Sequence, residues 1–431
     1  MSQPPLTVVI ASYLEPDLVE RIAAADPGLT VLYEPELLPV PQYRCDHGGR
    51  RPELTAAQSE RWAGLLARAD IAFDFDWERP ADLPRRAPKL RWVQATSAGI
   101  GGFVQRTGLD GSDIEFTTAG GIHAVPLAEF AVTGALHFIK GVPELRRRQQ
   151  ARVWERYTTA QLAGRTVTVV GLGGMGRQVA RTFQALGTHV IGVARNRNAE
   201  GRLGREGAAA QNLPAIDGHT TEGRPGIDGH TTEGRPGIDG HTAEGRPGID
   251  GHTAEGRPAT DGHTAEGRPG IDSRAAQGGA EAAARTLDGL PGVEVRTIGE
   301  LDEVLPRTDV LVLCCPLTPE TEGLVSKRRL GLLPAGAVLV NIARGPVVDE
   351  AGLIESLAAG HLGGAALDVF ATEPLPASSP LWDMEQVLVS PHSASTVATE
   401  NAAITDLFLD NLSRYRAGEP LRNRYHRDRG Y

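Results

Sequence analysis

The 431-residue sequence is short of cysteine, methionine and aromatic residues, carries no surplus of positive charge and contains no long apolar run. Each shortage rules something out. Its three cysteines, Cys45, Cys314 and Cys315, cannot build a disulfide framework, and the adjacent pair lacks metal-ligand spacing, so all three are expected to be buried small side chains. A formal net charge of -10 argues against a general binder of nucleic-acid backbones. The Arg146-Arg147-Arg148 cluster falls within a helical pattern and reads as a solvated face. No segment approaches membrane-spanning length. The opening residues, MSQPPLTVVI, lack the basic start, apolar core and cleavage site of an export signal, which leads to the expectation of a soluble cytoplasmic protein without a membrane partner.

What is present is enough for large cores: 40% of the residues are apolar, and the length suits two domains once one low-complexity segment is discounted. The organising stretch is Arg165 to Asn198. Thr166 to Val170 is a β-branched run suited to a buried parallel strand, and Gly171-Leu172-Gly173-Gly174-Met175-Gly176 then fits G-x-G-x-x-G. The first glycine permits the tight turn, the second admits a pyrophosphate to the backbone, and the third lets the following helix pack on the strand. Free N–H groups at that helix start would face the phosphates. The helix is expected to run to about Leu186, with Gly187 beyond its end and a second strand over His189 to Val193.

Upstream, Leu6 to Ala11, Leu29 to Tyr33, Asp70 to Phe75 and Leu90 to Thr96 read as strands, with helices over Glu15 to Ala25 and Glu53 to Ala69. Ser97 to Gly102 is a flexible turn whose backbone donors could cradle a carboxylate, although an ordinary glycine turn gives the same pattern. An apolar helix through about Ile139 and a polar one from Glu144 to Arg156 follow. Trp154 lies on the second, where an aromatic is more often core than a contact for a partner subunit. Beyond Asn198 the composition changes. An 11-residue unit, IDGHTTEGRPG at residues 216–226, recurs from Ile227, Ile238, Ile249 and, altered, from Thr260. Each unit holds a proline, at least two glycines and at most one large apolar residue, so burial cannot offset ordering, and residues 199–280 are expected to form a disordered insertion. Its histidines, His219, His230, His241, His252 and His263, contain no close ligand pair, and no metal is expected.

Regular structure is expected to resume with a helix over Glu281 to Leu287, and strands over Val293 to Arg296, Asp309 to Cys314, Ala337 to Ile342, Ala365 to Val369 and Val387 to Val389 continue an α/β alternation. Helices over Glu350 to Ala358 and Thr399 to Tyr415 complete it. Polar residues at the carboxyl ends of parallel strands carry the most functional weight, and here they include Arg344, Asp368 and His392. Arg344 can hold a carboxylate through both guanidinium arms. His392 is the side-chain type suited to exchanging a proton, and Glu373 could orient its imidazole, though spacing alone does not bring the two together.

The segments TSAGI, GIHAVPLAEF, GLGGMG, CCPLTPETEGLV, LPAGAVLVNIARGPVVDEAGL, ALDVFATEPLP and SPLWDMEQVLVSPH occur in this order from about Leu90 to Thr399. Together they resemble the D-isomer-specific 2-hydroxyacid dehydrogenase family, glyoxylate and hydroxypyruvate reductases included. The resemblance implies two Rossmann-like α/β domains with a deep cleft between them: a discontinuous substrate domain, 1–121 and 396–431, and a dinucleotide domain, 122–395, interrupted by the insertion. It also implies a dimer formed through the cofactor domain. By the same resemblance Arg344, Glu373 and His392 would be catalytic, Arg344 binding the carboxylate of a small 2-oxo acid with help from Ala98 and Gly99, and His392 exchanging the proton under control of Glu373. Cofactor contacts would come from Gly171, Gly173, Gly174, Met175, Gly176, Cys315, Pro316, Thr321, Ile342, Ala343 and Asp368.

One departure bears on the cofactor. NAD-preferring relatives carry an acid at the end of the second strand, where this sequence has Ala194 followed by Arg195 and Arg197. Losing an anion and gaining guanidinium groups favours a 2′-phosphate, so NADP(H) is expected over NAD(H). The same fold also serves corepressors that sense NAD(H) and bind partners, and fold alone does not separate these from enzymes.

Overall fold

Short β-branched strands alternating with helices form parallel sheets, because only a crossover helix returns the chain to the same edge. A computed structural model describes residues 4–195 and 290–427. Its strands are β1 (Leu6–Ile10), β2 (Leu29–Leu32), β3 (Ile71–Phe73), β4 (Trp92–Gln94), β5 (Glu115–Thr117), β6 (Thr166–Val170), β7 (His189–Ala194), β8 (Glu294–Thr297), β9 (Val310–Leu313), β10 (Val338–Asn341), β11 (Gly364–Leu367) and β12 (Val387–Val389). The first five make one sheet, ordered β2-β1-β3-β4-β5, and the other seven make a second, ordered β12-β11-β10-β9-β6-β7-β8. All neighbours are parallel. Strand order reverses between β1 and β3 in the first sheet and between β6 and β9 in the second, which marks where ligands bind at the carboxyl ends.

Both faces of each sheet are covered. Along the central strands of the larger sheet, Val167, Val169, Val310, Val312 and Val340 enter one core while Val170, Leu311, Leu313 and Leu339 enter the other, the period-two alternation of a doubly covered strand. The Ala124–Ile139 helix lies on the first of these faces. A Cβ on its Gly134 would stand 2.4 Å from Ala366 Cβ, so only glycine allows this approach. The Glu400–Ala417 helix packs on the smaller sheet, where Phe408 stacks on Trp92 at 5.2 Å between ring centroids. His123 Nε2 and Glu400 Oε1, 2.9 Å apart, join the start of one crossover helix to that of the other.

Most element boundaries fall within a residue or two of expectation, and the exceptions have local causes. The helix expected from Glu53 begins at Ala56, because Thr55 and Gln58 form a reciprocal capping box. The polar helix expected to reach Arg156 stops at Gln150. Arg152 takes a left-handed φ of 55°, and the Arg152 and Val153 N–H groups turn back to the Gln149 and Arg148 carbonyls, a Schellman ending with arginine in the usual glycine place. Trp154 follows this ending and is 99% exposed, which corrects its expected place in a core. Cys45, Cys314 and Cys315 are free and buried, as their composition suggested. Among the described residues no single helix is long and apolar enough to cross a membrane, and no group of three or more His, Cys, Asp or Glu side chains is arranged for a metal ion. Arg197, the repeat insertion and the helix expected over Glu281 to Leu287 lie outside the described residues.

Candidate active site

The turn after β6 is tightly packed at two of its glycines and open at the two between them. Gly171 adopts φ 97°, and a Cβ there would stand 2.7 Å from the Cys315 nitrogen on the neighbouring strand end. A Cβ on Gly176 would reach within 1.7 Å of the Gly171 oxygen. Gly173 and Gly174, by contrast, face open space, with nothing within 4 Å of an added Cβ. The Gly174–Ala185 helix starts there without a side-chain cap, leaving its first N–H groups directed at that space. Open volume, unpaired donors and the positive end of a 12-residue helix fit a dinucleotide pyrophosphate.

The rest of the groove comes from neighbouring strand ends. β7 ends at Ala194, and Arg195 extends from it to Glu320, with 3.4 Å between Nη2 and Oε2. Thr318 donates to the same carboxylate and, ahead of the nearby guanidinium, holds Glu320 below the usual carboxylate range. Glu320 was not foreseen from sequence, since 125 residues separate it from Arg195. Pro316 lies exposed on the loop after β9, whereas the Thr321 hydroxyl turns inward to the Pro316 carbonyl at 2.6 Å and sets the loop's shape. Burial pushes the Cys315 thiol up to about 11 and Cys314 higher still, so both remain protonated and apolar in character.

Three strand ends assemble the chemical groups. After β10, the buried Asn341 braces its own turn, accepting from the Ala343 N–H at 3.0 Å and donating to the Arg344 carbonyl at 3.1 Å. Ile342 and Ala343 are buried beneath this turn, and Arg344 projects half-buried from it. The guanidinium extends to the exposed Ser97-Ala98-Gly99 turn after β4, so close that a Cβ on Gly99 would stand 2.5 Å from Arg344 Nη2. Gly99 therefore lies beside Arg344, with Ala98 preceding it on the same exposed turn.

After β11, Asp368 is 2% exposed, and its Oδ1 accepts from Ser390 Oγ at 2.6 Å and from the Ser393 and Ala394 N–H groups at 2.9 Å. These bonds clamp the loop that carries His392. Burial raises the Asp368 carboxyl despite them. Glu373 accepts from the Phe370 N–H at 3.0 Å through one oxygen and reaches His392 Nδ1 at 2.8 Å through the other. His392 itself holds a left-handed φ of 55° and is partly exposed. With Nδ1 bound to a carboxylate, Nε2 is the ring nitrogen left to exchange a proton. The structure thus pairs Glu373 with His392 and Arg344 with the Ser97–Gly99 turn, while among the described residues Arg344 makes no direct bond to Glu373 or His392. Asn341 and the clamp made by Asp368 were missed from sequence, whose only hint was their place at strand ends.

Known proteins share sequence and fold with this chain. The family model described as D-isomer specific 2-hydroxyacid dehydrogenase, NAD binding domain, matches residues 132–216 and 283–394. Glyoxylate/hydroxypyruvate reductase A of Salmonella newport is 41% identical over 132 residues, which are 31% of this chain and 42% of that protein. D-3-phosphoglycerate dehydrogenase of Mycobacterium leprae is 29% identical over 375 residues, 84% of this chain and 50% of that protein. The chain thus spans half or less of the length of these curated relatives. A crystal structure of a D-isomer specific 2-hydroxyacid dehydrogenase from Xanthobacter autotrophicus Py2, in complex with NADPH and MES, is similar over 99% of this chain and 100% of its own, with 26% identity and a TM-score of 0.64. Residues 132–216 and 283–394 thus match the NAD binding domain of the D-isomer specific 2-hydroxyacid dehydrogenase family, and the chain as a whole is similar in structure to a member of that family.

Proposed function

We propose that the protein is a nicotinamide-dependent reductase of a small 2-oxo acid such as glyoxylate or hydroxypyruvate, yielding the D-hydroxy acid where a stereocentre forms. The observation that carries this reading is the 2.8 Å contact between His392 Nδ1 and Glu373, on the same run of strand ends as the meeting of Arg344 with Gly99. Arg344 and the Ala98 and Gly99 N–H groups hold the substrate carboxylate, and the guanidinium also polarises the 2-oxo group. A bound reduced nicotinamide supplies the hydride. Protonated His392 gives its Nε2 proton to the substrate oxygen, and Glu373 keeps the imidazole charged and oriented. In the reverse direction neutral His392 takes that proton from the hydroxyl. Gly171, Gly173, Gly174, Met175 and Gly176 hold the pyrophosphate. Cys315, Pro316, Ile342 and Ala343 border the cofactor, Thr321 shapes its loop, and Asp368 acts near the nicotinamide by clamping the His392 loop.

NADPH is the preferred cofactor in this reading, supported by Ala194 where an acid would bind ribose and by the exposed Arg195 beside it. The pair with Glu320 is exposed and weak enough for a phosphate to displace it. A homodimer through the cofactor domain is supported by the fully exposed Trp154 with Val153 and Leu145 nearby in sequence and also exposed. The test is to incubate the purified protein with each reduced nicotinamide and a panel of 2-oxo acids while following loss of the reduced cofactor's absorbance. Turnover with glyoxylate or hydroxypyruvate is expected; silence across the panel would overturn the proposal.

A further inference from the structure

The switch point of the smaller sheet carries a polar cluster to which neither the family comparison nor the reaction assigns a role. Ser12 follows β1, His47 lies between β2 and the Ala56–Leu66 helix, Asp74 follows β3 and Thr96 follows β4. Four separate segments thus place one polar side chain each at the same edge. Ser12 is 1% exposed, and its Oγ lies 3.2 Å from His47 Nδ1. Asp74 Oδ2 accepts from Thr96 Oγ1 at 2.9 Å, and its Oδ1 accepts from the Phe75 N–H at 2.9 Å. Ser12 and the His47 imidazole lie near enough to this carboxylate to act on it, but burial is the largest influence and pushes the carboxyl upward.

Asp74 adopts φ 71°, a left-handed backbone that a residue with a side chain rarely takes unless its surroundings impose it. Its own N–H is held by the Gln94 carbonyl at 2.8 Å. The carboxylate is therefore fixed against the end of β4, and what it grips there is Thr96, the residue immediately before the Ser97–Gly99 turn. The next residue is held as well, because the Ser97 carbonyl accepts from the Ala119 N–H at 3.1 Å. Beyond these two attachments Ala98 and Gly99 are exposed, and Gly99 meets the Arg344 guanidinium.

We propose that Asp74, acting through Thr96, is a positioning residue that holds the Ser97–Gly99 turn at the separation from Arg344 that a substrate carboxylate requires. The inference rests on the carboxylate-binding role of that turn given above. Because the cluster lies on the substrate sheet, away from the glycine turn after β6, it acts on the 2-oxo acid and leaves the cofactor alone. Removing the bond loosens the turn before substrate arrives, so it weakens substrate capture more than the step that follows.

Steady-state kinetics of Asp74→Ala, Thr96→Val, Thr96→Ser and the Asp74→Ala/Thr96→Val double variant test this, with NADPH and the best 2-oxo acid as substrates. Loss of one charge-assisted bond is expected to raise the KM for the 2-oxo acid roughly tenfold in Asp74→Ala and Thr96→Val. The KM for NADPH stays constant, kcat changes little, and Thr96→Ser, which keeps the hydroxyl, restores the parental value. The double variant is expected to be no worse than either single one, since both remove the same bond. Thermal melting identifies any variant that fails to fold, and Thr96→Val, nearly the same shape as threonine, keeps the test open if Asp74→Ala does fail. Unchanged 2-oxo acid KM values in folded Thr96→Val, or equal losses for both substrates, would overturn the inference while leaving the activity intact. A parental protein inactive with every 2-oxo acid would overturn the proposed function and this inference with it.

Discussion

Replacing Gly173 or Gly176 by alanine adds the same methyl group three residues apart, and the two variants should fail in different ways. At Gly176 the new carbon would stand 1.7 Å from the Gly171 oxygen, whereas ordinary contact begins near 3.4 Å. Strand turn and helix must part by the difference, and the obstacle is backbone, which no rotamer change can relieve. Overpacking of this kind costs about 3 kcal/mol, at the upper end of its usual range. Alanine's better helix propensity returns roughly 1 kcal/mol. The net loss of about 2 kcal/mol should lower the melting temperature by roughly 4–8 °C. Gly173 is the opposite case. Its φ of -68° and ψ of -170° suit any residue, and nothing lies within 4 Å of the added carbon, so the apoprotein should melt at or slightly above the parental temperature. If a pyrophosphate uses that space, the methyl displaces it from one or two backbone N–H groups at about 1.5–2 kcal/mol each. NADPH affinity should then fall by about 1.5–4 kcal/mol, roughly 10- to 1,000-fold. Melting curves of both apoproteins, followed by fluorescence titration with NADPH, separate the effects. Gly173→Ala that folds and binds NADPH within about threefold of the parent would refute the assignment of that space to phosphate.

Other consequences follow from the strand-end cluster. His392→Ala should lower kcat by about 10²- to 10⁴-fold while NADPH binding by fluorescence stays intact, and Glu373→Gln should give a smaller loss. An unchanged kcat in His392→Ala would remove it from proton exchange. Arg344→Lys keeps the charge but loses the two-armed grip, and kcat/KM for the 2-oxo acid should fall by roughly 10²-fold; a parental value would remove Arg344 from carboxylate binding. Arg195→Ala should reduce the ratio of kcat/KM for NADPH over NADH by roughly 5- to 30-fold, below the full worth of a phosphate pair because the side chain is half exposed. A ratio that does not move would place the 2′-phosphate elsewhere. Deleting residues 199–280 should preserve folding and kinetics, since β7 and β8 already pair from Ile191 with Glu294 to Ala194 with Thr297. Lost NADPH binding in the deletion variant would show that the segment contributes to the site.

Much of the fold was legible because its signals are local. The Thr166–Val170 strand, the three spaced glycines and the Glu350–Ala358 helix each follow from a few neighbouring residues, and the structure reproduces them. The end of the Val142–Gln150 helix was not legible, since an arginine in a left-handed conformation gives no sequence warning of a Schellman ending. The candidate site divides in the same way. Arg344, Glu373 and His392 stood out by type and place, but the pairs that shape the loops around them and the cofactor turn join residues apart in the chain. Thr96 finds Asp74 across 22 residues, Ser390 finds Asp368 across 22, and Arg195 finds Glu320 across 125.

The sequence alone determined the class of protein and the groups available for its chemistry: parallel α/β alternation, a phosphate-binding turn, and an arginine, a glutamate and a histidine at strand ends. Those follow from periodicity, backbone sterics and side-chain chemistry, which act over a few residues. Tertiary structure decided which groups meet and which atoms remain free. It set Glu373 on Nδ1 so that Nε2 of His392 is left to act, and brought the turn after β4 against Arg344 from the other sheet. It also committed one oxygen of Asp368 to holding the His392 loop. Such pairings depend on where parallel strands end relative to one another, and strand register and order are fixed only when both sheets are covered and their helices packed.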